Sequence, residues 1–105
     1  MDKKVVLNKI VEFKSALARK GIKVKQIILY GSWAKNTQTQ ESDIDLVVIS
    51  SDFRDKGYWE RIDLLSEVIY EVFAPIEAIA LTPEEWSKED SLICQYAKTG
   101  EVINV

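Results

Sequence analysis

Two aspartates, Asp43 and Asp45, stand one residue apart at the head of an aliphatic run, Ile44-Asp45-Leu46-Val47-Val48-Ile49. In an extended segment alternate side chains share a face, so their Cα atoms lie ~7 Å apart. Ten residues earlier a second aliphatic run, Ile27-Ile28-Leu29-Tyr30, ends on Gly31-Ser32. A third, Ile76 to Leu81, carries Glu77. Gathered carboxylates repel, and one takes up a proton unless a cation relieves them. Mg²⁺ suits such a group, because it takes a few carboxylates and completes its shell with water and phosphate oxygens. Two such ions can clamp the attacking and leaving oxygens of a phosphoryl displacement. Glycine lets a phosphate approach the backbone closely, and serine adds a hydroxyl donor. An Asp-x-Asp pair alone is common in turns and caps. The specific feature is the series of strand, Gly-Ser, ten residues, Asp-x-Asp and strand.

Composition narrows the chemistry further. The 105 residues include no histidine and one cysteine, Cys94. That excludes a Ser-His-Asp triad, a His-ligated zinc and a disulfide within the chain. Cys94 follows Leu92-Ile93 and reads as a small buried hydrophobe, since no base adjoins it. No apolar run reaches the ~18 residues of a membrane span, and a lone thiol suits a soluble cytoplasmic protein.

Charge is uneven. Net charge is −3, yet residues 1–26 hold eight Lys/Arg against two Asp/Glu, and residues 27–105 hold six against fifteen. The basic residues interleave with an apolar helical stripe, which reads as a solvated helix face. A surface for an acidic partner is the next reading. Direct nucleic-acid binding comes last, because no aromatic is interleaved to stack on bases.

Four helical or loop segments must hold the three aliphatic runs. Val6, Ile10, Phe13 and Leu17 recur at helical spacing, with Asp2 as cap and Gly21 as terminator. Val24–Tyr30, Asp43–Ile49 and Ile76–Leu81 read as strands. Trp59, Ile62, Leu65, Ile69 and Val72/Phe73 form a second helical stripe, stopped by Pro75. Thr82-Pro83-Glu84-Glu85 is a capping box, and a last helical stretch carries Leu92, Ile93, Tyr96 and Ala97 to Gly100. Glu84, Glu85, Glu89 and Asp90 read as acids at helix starts, where they suit the dipole. The predicted order is helix, strand, strand, helix, strand, helix, as one domain over residues 1–105. The link at 33–42 is at the lower limit for a crossover and has no helical stripe, so strands one and two are expected to be antiparallel neighbours. The link at 50–75 holds a helix, which suits a parallel crossover to strand three. Gly31-Ser32, Asp43, Asp45 and Glu77 then meet at one end of the sheet.

Leu29-Tyr30-Gly31-Ser32, ten residues and Asp43-Ile44-Asp45-Leu46 together resemble the signature of the DNA polymerase β-like nucleotidyltransferase superfamily. The small size and the close Ala97-Lys98-Thr99-Gly100-Glu101-Val102 look like its minimal nucleotidyltransferase (MNT) branch. The resemblance implies an α/β fold, with a mixed sheet and flanking helices. It implies Mg²⁺-dependent transfer of AMP from ATP to a hydroxyl. Gly31 and Ser32 would hold the triphosphate, with Lys35 as a further phosphate contact. Asp43, Asp45 and Glu77 would be the catalytic, metal-binding carboxylates. It also implies an antitoxin paired with a helical HEPN-domain ribonuclease, silenced by AMP on a tyrosine. A homo-oligomer is a further expectation.

The chain departs from the family's usual Gly-Ser-Arg-Ala-Arg-Gly. It reads Gly31-Ser32-Trp33-Ala34-Lys35-Asn36, and Glu77 stands where an aspartate is usual. Asn36 can hold a left-handed turn. Trp33 is expected to pack or touch a partner. Trp59, Trp86, Tyr58 and Tyr96 are expected in the core or on a partner face. The departures keep a second function class open, a binding module that masks a toxin without catalysis.

Overall fold

The computed structural model describes residues 2–39, 42–88 and 91–104. Its elements are α1 (Lys3–Arg19), β1 (Gln26–Tyr30), α2 (Ser32–Lys35), β2 (Ile44–Ile49), α3 (Tyr58–Val72), β3 (Ile76–Leu81), α4 (Pro83–Lys88), α5 (Leu92–Ala97) and β4 (Glu101–Ile103). A 3-10 turn, Ser51–Phe53, follows β2. The strands form one sheet in the order β3-β2-β1-β4. β1 runs antiparallel to β2 and β4, and β2 runs parallel to β3. Both expected pairings hold, and a mixed α/β sheet results.

Alternation along the strands sorts their side chains onto two covered faces. Ile27, Leu29, Ile44, Leu46, Val48 and Ile76 pack under α1 and α3, against Ile10, Phe13, Leu65 and Val68. Ile28, Val47 and Ile49 pack on the other face with Ala97, Ile93 and Trp86 of α5 and α4. Asp2 accepts the Val5 N–H at 2.9 Å to start α1, and Gly21 follows its end with φ +86°. Cys94 is buried, as its apolar setting predicts.

Three features differ from the sequence reading. The chain does not end on a helix: β4 follows α5 and adds a strand beside β1. Three residues are too few to show alternation, but their position follows from Gly100. A Cβ there would stand 2.6 Å from the Leu29 carbonyl oxygen and 2.8 Å from Ile28 Cγ2. The 33–42 link is also not wholly irregular, since it opens with the single turn α2. And α3 does not bury the whole predicted stripe. Leu65, Val68 and Val72 are inside, while Trp59 is 72% and Phe73 87% exposed and Ile62 lies at the surface. Glu89 and Asp90 lie outside the described residues.

One side chain ties the crossover together. The Arg61 guanidinium donates to the carbonyls of Lys56 (3.0 Å), Phe53 (2.8 Å) and Ala80 (3.3 Å) and to Glu85 Oε1 (2.7 Å). Glu85 also accepts the Thr82 N–H at 2.7 Å. Burial pushes the Glu85 carboxyl up, but that N–H and Arg61 outweigh it and hold it below its ordinary value. Arg61→Met removes one donor from each of three carbonyls and from the Glu85 carboxylate, and we expect a loss of ~2–4 kcal/mol in urea unfolding. A group depressed in the fold contributes fully above its unfolded pKa and loses that contribution as pH falls through the folded value. The difference between wild type and Arg61→Met therefore narrows in acid. A difference that stays constant across the carboxylate range would refute the ion-pair account.

Candidate active site

The end of the sheet where β1 finishes and β2 and β3 begin carries the polar residues. Tyr30 pairs with Asp45 across β1 and β2, and Asp45 pairs with Glu77 across β2 and β3. The three side chains form a row on one face. Asp43, two residues before Asp45, belongs to the same face. The Ile44 N–H donates to the Pro75 carbonyl at 2.7 Å, which fixes β3's entry beside the aspartates.

The charges are coupled. Burial pushes the Asp45 carboxyl up, a hydrogen bond with Glu77 offsets part of this, and the Asp43 charge adds to it. Asp43 is the main cause raising the Glu77 carboxyl, followed by burial and Asp45. Burial, Asp45 and Glu77 push the Tyr30 phenol up to about 12. All three groups thus resist carrying negative charge together. Hard oxygen donors that repel one another fit a divalent cation. Among the described residues no three of His, Cys, Asp and Glu enclose an ion unaided. The protein would supply part of a shell, leaving positions for water and phosphate, which is how Mg²⁺ is usually held.

Gly31 sits beside this row with φ +73° and ψ −147°. That region is essentially confined to glycine. A Cβ on Gly31 would stand 3.2 Å from Asp45 Cγ and closer still to its Oδ2. The glycine thus lets the turn and the carboxylate occupy adjoining space. Gly31 caps α2, whose first N–H groups have no intrahelical acceptor. Asn36 closes the turn with φ +57°, the left-handed conformation expected of it. Trp33 is buried beneath α2 in the core and anchors the turn to the sheet.

Between these parts opens a cleft of about 370 Å³, lined by Tyr30, Gly31, Ser32, Lys35, Thr37, Asp45 and Tyr96. The structure therefore brings Gly31, Ser32, Lys35 and Asp45 to one cavity, with Asp43 and Glu77 beside Asp45 on the same face. Sequence reasoning missed Tyr30, Thr37 and Tyr96. Tyr30 was detectable, since it precedes Gly31 and shares the parity that faces Asp45. Tyr96 is 63% exposed at the cleft.

The nucleotidyltransferase domain family matches residues 10–95. This chain belongs to that family. Two relatives from Methanocaldococcus jannaschii are named as protein adenylyltransferases, MJ0604 and MJ1305. The first is 35% identical over 76% of this chain and 77% of its own. The second is 33% identical over 90% of this chain and 68% of its own. Among solved structures, a toxin–antitoxin with AMP-PNP superposes with TM-score 0.61 at 23% identity, over 91% of this chain and 70% of that one. A nucleotidyltransferase from Sulfolobus solfataricus gives TM-score 0.61 at 16% identity, over 97% and 87%. The nucleotidyltransferase fold, with its minimal helix and strand complement, is thus that of the family. Among the described residues no helix is long and apolar enough to cross a membrane.

Proposed function

We propose that this nucleotidyltransferase moves AMP from ATP to a hydroxyl, most simply a tyrosine, of a partner protein. We propose further that it acts as the antitoxin of a HEPN-type toxin. The observation that carries the reading is the row Tyr30–Asp45–Glu77 with Asp43 beside it, facing a Gly-Ser turn across one cleft. In this reading residues 1–105 act as a single unit. Gly31 and Ser32 seat the triphosphate, and Lys35 meets a terminal phosphate. Asp43, Asp45 and Glu77 would hold Mg²⁺, which when bound neutralises charge between carboxylates and phosphates. Glu77 accepts the proton of the attacking hydroxyl as pyrophosphate leaves. The relatives named for protein adenylyl transfer support the acceptor class. One toxin–antitoxin neighbour was solved with two aspartates changed to glutamate, spaced as Asp43 and Asp45 are here.

The masking alternative draws on Trp33. The family usually places an arginine there, and here the side chain is buried in the core and brings no charge to the cleft.

Thermal unfolding separates the readings. Ligand at 100 times its Kd adds ~2.7 kcal/mol, and each kcal/mol moves Tm roughly 4–8 °C at this size. We expect Mg²⁺ plus ATP to raise Tm by about 10 °C or more, with little from ATP in EDTA. No shift with saturating Mg²⁺ plus ATP would favour masking.

A further inference from the structure

The carboxylate row crosses the sheet from its outer strand inward. Glu77 stands on β3, Asp45 on β2 and Tyr30 on β1, with ~4.8 Å between neighbouring strands. Helix α5 lies on the same face, at the β1 end of the row. Its Ile93 and Ala97 share one apolar cluster with Ile28 and Tyr30. Tyr96, just before Ala97, lines the cleft together with Tyr30, Gly31, Ser32 and Asp45. Glu77 does not line it.

The two ends of the row therefore offer different chemistry. At the β3 end Glu77 is exposed. In the proposed reaction it takes the proton of the acceptor, so the acceptor arrives over β3. Asp45 stands in the middle, beside the phosphorus under attack. The attacking and leaving oxygens lie roughly in line through that phosphorus. An acceptor over β3 leaves the β1 end of the row to the nucleotide, and that end is where the glycine turn, Lys35 and Tyr96 meet.

Tyr96 supplies what a base needs there. Gly31, Ser32 and Lys35 suit charged phosphates, whereas a base is flat and nearly neutral and gains most on an aromatic face. Two rings line the cleft. Tyr30 is already packed against α5, and it belongs to the carboxylate row. Tyr96 is 63% exposed, so its ring is free to take a second surface. An exposed tyrosine alone signifies little. This one walls a cleft of about 370 Å³ beside the phosphate turn, on the side away from the incoming hydroxyl.

We infer that Tyr96 is the platform on which the nucleotide base stacks, and that the cleft prefers purine to pyrimidine through stacking area. This rests on the reading that a nucleoside triphosphate occupies the cleft. The test is isothermal titration calorimetry of the full chain in excess Mg²⁺ with three ligands. Inorganic tripolyphosphate has no base. The α,β-methylene analogues of ATP and CTP carry one and cannot release pyrophosphate. Wild type is expected to bind the adenine analogue about tenfold or more tighter than tripolyphosphate, with the cytosine analogue between them. Tyr96→Ala is expected to weaken the adenine analogue about tenfold, erase the difference between the bases and leave tripolyphosphate unchanged. Tyr96→Phe keeps the ring and is expected to match wild type. Both variants, free of ligand, are expected to melt within about 3 °C of wild type, since the side chain is exposed.

Equal wild-type affinity for tripolyphosphate and the adenine analogue would overturn the inference and leave the triphosphate seat standing. So would an unchanged adenine affinity in Tyr96→Ala, or an equal weakening of all three ligands. A loss in Tyr96→Phe would assign the role to the hydroxyl instead of the ring. AMP found covalently on Tyr96 by mass spectrometry, after incubation with Mg²⁺ and ATP, would make the residue an acceptor and overturn the platform as well. Binding of none of the ligands would count against nucleotidyl transfer itself, and the platform would fall with it.

Discussion

Asp45→Asn is expected to lower AMP transfer on the order of 10³-fold while making the protein more stable. The two effects have one origin. Asp45 sits between Tyr30 and Glu77 in the strand register and within reach of the Asp43 charge. Removing its negative charge weakens an oxygen donor that Mg²⁺ would use in the proposed site. Several kcal/mol of charge stabilisation then disappear, and each 1.36 kcal/mol is tenfold in rate. The same charge opposes folding when no cation is present. Like charges directly opposite on neighbouring strands cost ~0.2–1 kcal/mol.

The pH dependence has a definite sign. Asp45 and Glu77 both titrate above their ordinary values in the fold. An acid raised in the fold costs stability as pH rises from its unfolded to its folded value, and the cost is complete at neutral pH. Asp45→Asn should therefore gain on wild type above the carboxylate range and lose the advantage below it. Saturating Mg²⁺ should favour wild type and reverse the order. Transfer is read as labelled AMP incorporated in Mg²⁺, and stability as Tm from pH 3 to 8. Transfer within tenfold of wild type would remove Asp45 from the catalytic group, and a fall in Tm at pH 7 without Mg²⁺ would contradict the charge account.

Gly31→Ala is the second large effect, and here stability and nucleotide binding fall together. The backbone at φ +73° and ψ −147° costs a residue with a side chain ~1–3 kcal/mol. The added Cβ also meets the Asp45 carboxylate, 3.2 Å from its Cγ. The carboxylate must swing out of the row, or the turn must open. We expect a loss of about 2–3 kcal/mol, roughly 10–20 °C in Tm, and no remaining Mg²⁺–ATP shift. A double-mutant cycle divides the two causes. In the Asp45→Ala background the collision is gone and only the backbone cost remains, so Gly31→Ala should be milder there. Equal costs in both backgrounds would mean that the glycine serves the turn alone.

Much of this arrangement was legible before any coordinates. Gly31-Ser32 and Asp43-Ile44-Asp45 lie within 15 residues of one another, and both adjoin aliphatic runs that can only be buried strands. A short polar link forces its strands to be neighbours, so the two motifs had to meet. Period-two alternation placed both aspartates on one face. Glu77 needed one more step, the parallel crossover through α3, and the register sets it directly beside Asp45. Other parts had no local signal. β4 is three residues long, and its place depends on the Gly100 backbone reaching Leu29. Trp33 and Trp59 are the same residue type in polar surroundings, yet one is 2% and the other 72% exposed.

Spacing along the chain dictated the pairing of β1 with β2 and of β2 with β3, the glycine turn, the carboxylate face and the absence of histidine chemistry. Steric period and link length leave few other choices there. Packing set the rest: Tyr30, Thr37 and Tyr96 complete the cleft, Arg61 binds the Ala80 carbonyl of β3, and Phe73 takes a left-handed backbone in the open. Each depends on which surfaces of separate elements come together, and packing across the sheet, rather than local pattern, selects those surfaces.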